Sequence, residues 1–189
     1  MRRLTTIAVL GAALALGACG GDDDDDGGGG GDQVSAEEYA SAICSSTQDW
    51  VGSLQKRATD LGESLGTDVS PEQGKDALAG FLDDVIADTD DWIAGVTDAG
   101  VPDVSGGEQA AEDLRAAAEE AKGVLEDTRA SVEDLPTDDE AEFAREADEV
   151  GNATEESLGK VGDAIAEPES DELRTALEET EECKQLAGA

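Results

Sequence analysis

The sequence predicts an all-α protein: an antiparallel up-and-down bundle of four long helices plus a short C-terminal helix, closed by one disulfide. Three observations carry that expectation. From Val34 onward the apolar residues return at helical spacing and almost never alternate as they do in strands. Pro71, Gly100, Pro102, Pro136 and Pro168 punctuate the periodic segments, so the chain reads as helices joined by short connections, which make consecutive helices antiparallel. Finally, Cys44 and Cys183 stand near opposite ends of the folded region, placed to tie the last helix to the first.

The first helix starts at a capping box, Ser35 with Glu38. Along it Tyr39, Trp50 and Leu61 recur every eleven residues, as do Ile43, Leu54 and Leu65. An eleven-residue return corresponds to about 3.67 residues per turn, so this stripe keeps to one face of a nearly straight helix. Ser70 and Pro71 supply the next N-cap and first-turn proline. Leu78, Phe81, Leu82, Val85, Ile86, Thr89, Trp92, Ile93 and Val96 then form the strongest stripe in the chain, and Gly100 and Pro102 end it.

A third helix is expected from about Glu108 to Leu135, with Leu114, Ala118, Ala121, Leu125, Thr128 and Val132 on its buried face before Pro136 stops it. Thr137 with Glu140 reads as another capping box, opening a helix that carries Phe143, Ala147, Val150, Thr154, Leu158, Val161 and Ile165 until Glu167-Pro168 breaks it. The last helix, from Ser170 to about Leu186, places Leu173, Leu177, Thr180 and Cys183 on one side. Helices of about 30 residues are roughly 45 Å long.

The N-terminus has a different character. Met1, Arg2 and Arg3 form a basic region, and Leu4 to Leu16 an apolar one, the composition of a secretory signal. A spanning helix would need about 20 apolar residues, and Asp22 ends the run too early. Gly20 to about Gln33, with five adjacent aspartates and five adjacent glycines, reads as a flexible, self-repelling tether spanning on the order of 20 Å. Asp22, Asp24, Asp26 and Gly27 match half of a calcium loop, but Gln33 stands where its bidentate Glu belongs, so a solvated spacer is the reading.

Leu16-Gly17-Ala18-Cys19 resembles the lipobox of bacterial lipoproteins. That resemblance implies diacylglyceryl attachment to the Cys19 thiol, cleavage before it, and residence on the outer face of the cell membrane. Small Gly17 and Ala18 would admit a peptidase to the backbone, and two or more acyl chains anchor stably at about 0.8 kcal/mol per buried methylene. The chain then divides into a signal peptide at 1–18, a lipidated cysteine and tether at 19–33, and a helical domain at 34–189. With its acidic, alanine-rich domain, the chain is similar in composition and architecture to small exported lipoproteins of high-GC Gram-positive bacteria. Only residues 16–19 are motif-grade, so the resemblance supplies a place and no catalytic or binding residues.

Charge and cysteines bound the rest. Acids number 48 against 12 basic residues, a formal charge of −36, which excludes a nucleic-acid binder and argues against docking onto anionic headgroups. After lipidation of Cys19 an even pair remains, and in an exported chain Cys44 and Cys183 are most simply a disulfide, with two buried free thiols as the alternative. The polymer model credits closure of so long a loop with about 5 kcal/mol. With only two Phe, two Trp and one Tyr, the core is modest and the bond is expected to matter.

Catalytic chemistry is hard to assemble from these residues. The absence of histidine removes the commonest general base, the usual catalytic zinc set and the ordinary triads. Paired acids such as Asp83-Asp84, Asp90-Asp91 and Asp138-Asp139 are too abundant to single out an acid/base pair. No metal or cofactor is expected. Gly100 to Gly107 is the one loop of unusual character, readable as a helix stop and new N-cap or as a recognition loop at one end of the bundle. Trp50 and Trp92 read as core anchors; facing a common cavity, they would clamp an apolar ligand between helices.

The functional expectation is a monomeric, non-enzymatic envelope protein, held to the bilayer through acylated Cys19, with an interaction or accessory role. The alternative is a carrier for a small apolar or cationic ligand. An exposed patch would favour the first and a lined cavity the second.

Overall fold

The computed structural model describes residues 33–66, 69–152 and 170–187. Among them the chain is helical apart from one two-stranded ladder. Helix α1 (Ala36–Ser64) begins at the expected box: the Glu38 amide donates to Ser35 Oγ at 3.2 Å and the Ser35 amide to Glu38 Oε2 at 3.1 Å. The Ser35 hydroxyl also donates to Glu38 Oε2 at 2.8 Å, and that bond, followed by the one from the Ser35 amide, holds the Glu38 carboxyl below its ordinary value. Helix α2 (Pro71–Asp98) repeats the device with Ser70 and Gln73, and places Pro71 in its first turn, where no amide is missed. Helix α3 (Gly107–Glu133) buries all six stripe residues read from the sequence, Leu114 through Val132.

Helix α4 covers 140–152 of the described residues. Its cap is Asp139, whose Oδ1 accepts from the amides of Ala141 at 2.9 Å and Glu142 at 3.0 Å, and not Thr137 as the sequence suggested. A carboxylate at the positive end of a helix out-competes a hydroxyl two residues earlier. Thr154, Leu158, Val161, Ile165 and the Glu167-Pro168 stop lie outside the described residues.

The expected last helix is two helices. Helix α5 (Asp171–Glu179) is capped by Ser170, and α6 (Glu181–Ala187) follows after Thr180, which is extended at φ −71°, ψ 134°. Thr180 donates both its amide, at 3.0 Å, and its hydroxyl, at 2.6 Å, to the Ala176 carbonyl, while its own carbonyl accepts from the Lys184 amide at 3.1 Å. It thereby ends one helix and begins the other. Across the break Cys183 reaches Cys44, and the expected disulfide is formed over a sequence separation of 139.

Cross-helix bonds give the directions. Trp50 meets Thr89 and Thr47 meets Trp92, so α1 and α2 are antiparallel. Asp83 pairs with Arg129 and Asp90 with Lys122, so α2 and α3 are antiparallel too. Two apolar cores follow. One gathers Tyr39, Ile43, Trp50, Trp92, Val96, Leu114 and Leu173. Leu82, Val85, Leu125, Val132 and Leu135 form the other, with Phe143 of α4 packed on it, and Leu54 touches both. The α1 stripe runs out at its far end, where Leu65 is exposed.

The ladder was not foreseen. Strand β1 (Gln33–Val34) pairs in parallel with β2 (Val101–Pro102), Gln33 opposite Val101 and Val34 opposite Pro102. Gln33, which the sequence reading places at the end of the tether, is thus paired with Val101 in the ladder.

Candidate functional site

The ladder brings the entry of the chain to the loop between α2 and α3. Gly100, at φ 80°, turns the chain out of α2, and Gly106, at φ 78°, turns it into α3; both lie in the left-handed region that glycine accepts freely. Gly107 allows a closer approach: a Cβ there would stand 1.9 Å from the Pro102 carbonyl oxygen. With glycine at the N-cap, α3 starts without a side-chain cap.

These turns border a cavity of about 620 Å³ that is open to solvent on one side, within the size range of small-molecule sites. Gln33 forms one wall beside the Gly100–Gly107 loop, and Ala111, Glu112 and Arg115 of α3 form another. The lining mixes apolar Val96, Val101 and Val104 with the carboxylates Asp103, Glu108 and Glu112. Arg115 has no ion-pair partner among the described residues, whereas Arg57, Lys122 and Arg129 each hold carboxylates on a neighbouring helix. The loop singled out in the sequence thus stops one helix and starts the next, as read, and it also lines a cavity.

Trp50 and Trp92 do not form a clamp. Their rings stack on each other, centroids 4.6 Å apart and planes 15° from parallel, leaving no space for a ligand between them. Each indole N–H donates at 3.1 Å to a buried threonine on the facing helix, Trp50 to Thr89 and Trp92 to Thr47. Both threonine hydroxyls donate in turn to the carbonyl four residues back, Thr47 to Ile43 and Thr89 to Val85. The arrangement is twofold symmetric, and its origin is visible in sequence: Thr47-Gln48-Asp49-Trp50 and Thr89-Asp90-Asp91-Trp92 are two copies of Thr-x-Asp-Trp. A hollow of about 250 Å³ lies beside the stack, bordered by Asp49, Asp88 and Asp91. Asp88 is committed to Arg57, with Oδ2 3.1 Å from Nε.

Cys19 and the half-matched calcium loop lie outside the described residues. Among the described residues no cluster of three or more metal-ligating side chains converges, and no helix is long and apolar enough to cross a membrane. Comparison with protein families, with curated proteins and with solved structures finds no match for this chain.

Proposed function

We propose that the chain is a membrane-anchored extracytoplasmic lipoprotein whose helical domain binds and does not catalyse, carrying a small apolar or cationic molecule in the cavity at its tether end. The observation that carries this reading is the position of Gln33, which lines the cavity and, on the sequence reading, ends the tether. An acyl anchor on Cys19 would hold that end of the domain nearest the bilayer. Valine walls beside three carboxylates suit an apolar body with a cationic group. Leu65 is the one large hydrophobic exposed among the described residues, which gives an apolar protein interface little to use. An interaction or accessory role in the envelope remains the second reading, resting on the same anchor.

Native mass spectrometry of the mature chain, extracted from its membrane in mild detergent, tests both parts. A diacylglyceryl mass on the N-terminal cysteine, absent from a Cys19→Ser chain, is the expected anchor. A stoichiometric small molecule supports the carrier role; an apo monomer that cross-links on intact cells to one envelope protein overturns it in favour of the accessory role.

A further inference from the structure

We propose that α5 and α6 form a redox-latched strap over α1: reducing the Cys44–Cys183 bond releases the strap and uncovers the Tyr39–Ile43 face, while α1, α2 and α3 stay folded. Among the described elements the strap packs chiefly on α1, and it contributes Leu173 and Leu177 to the core that holds Tyr39 and Ile43. At 9 and 7 residues its helices are too short to hold their shape unaided. Beyond apolar packing, its ties to α1 are the disulfide and the bond from Gln48 Nε2 to the Glu182 carbonyl.

The body beneath has its own locks. The stacked indoles and crossed threonine bonds join α1 to α2, and ion pairs from Asp83 and Asp90 join α2 to α3. The disulfide is not one of these ties: it joins α6 to α1.

The closed strap also carries a built-in cost. Tyr39 is 3% exposed and its hydroxyl is buried with no partner among the described residues. A desolvated, unpaired hydroxyl opposes the closed state, and water would satisfy it once Leu173 and Leu177 lift away. Covalent closure, by restricting the open state, offsets that opposition.

The exchange balances with an external dithiol as reductant. It becomes a disulfide, and Cys44 and Cys183 each receive one electron and one proton, through a mixed disulfide. Cys183 is the half-exposed partner and Cys44 the buried one, so attack falls on the Cys183 sulfur and Cys44 leaves.

Composition supplies two separate reporters: Tyr39 is the only tyrosine, and Trp50 and Trp92 are the only tryptophans. The test is hydrogen exchange by mass spectrometry on the full mature chain, oxidised and after reduction and alkylation, with near-ultraviolet circular dichroism and nitration of Tyr39 in parallel. Expected are loss of protection across 171–187, a Tyr39 that becomes reactive, and an unchanged tryptophan signal; a Cys183→Ser chain should match the reduced protein without any reductant. Loss of protection across 82–96 and of the tryptophan signal at the same step would overturn the latch, because the bond would then hold the whole fold. Retained protection of 171–187 with an unreactive Tyr39 would overturn it equally, because the strap would then need no latch.

Discussion

Trp50 and Trp92 stack face to face at 4.6 Å, and each gives its indole N–H to the threonine three residues before the other. Two helices are thereby fixed in both register and direction, because a slip of either one breaks both bonds. Thr47→Val and Thr89→Val keep the shape and remove one acceptor each, leaving a buried N–H unpaired. Each should cost about 1–3 kcal/mol, and the symmetry predicts similar losses. Urea denaturation of the two variants measures this; a loss confined to one of them would show that the symmetry is geometric only.

Glycine positions separate packing from propensity. Gly107→Ala would place a methyl group against the Pro102 carbonyl oxygen, so the loop and ladder must move. Gly123→Ala, inside α3 with open space around it, should stabilise by up to about 1 kcal/mol. Thermal melts should therefore shift in opposite directions for the two alanines.

The start of α4 offers a comparison of two caps. Removing the Asp139 carboxylate as Asp139→Ala should cost about 1 kcal/mol, whereas Thr137→Ala should be close to neutral, since the described bonds run to Asp139. Equal costs would point to a box at Thr137 in solution.

Two groups set pH windows of opposite sense. Tyr39 is pushed from its ordinary 10.0 up to about 12 by burial, so the unfolded chain ionises first. Tyr39 adds no pH dependence below pH 10.0, and its burial lowers stability progressively as pH rises from there toward about 12. Glu38 titrates lower in the fold than its ordinary 4.5, so its contribution is present above that value and lost as acid drops pH through the folded one. Stability followed across alkaline pH should decline less steeply in a Tyr39→Phe chain.

Much of this was legible because caps and stripes are local. Ser35 with Glu38 and Ser70 with Pro71 each start a helix where read, and the buried face of α3 matches its predicted residues. Thr180 was misread because a threonine on an apolar stripe gives no sign that its hydroxyl will turn back onto the preceding helix. A two-residue strand has no periodicity to detect, so β1 and β2 were invisible. The cavity belongs to the same class, since it exists only where Gln33, the Gly100–Gly107 loop and α3 meet. The Thr-x-Asp-Trp pair stands in the sequence, but its two copies belong to different helices, so no stripe within a single helix displays it.

The short ladder also decides how the domain would meet a mechanical load. A pull arriving from the segment before Gln33 strains the Gln33–Val101 rung first and then Val34–Pro102, before it reaches the Ser35–Glu38 box. Peeling both residues away would free about 7 Å of chain and strip Gln33 from the cavity wall. Force arriving through the chain before Gln33 and the shape of the cavity are thus coupled through two residues.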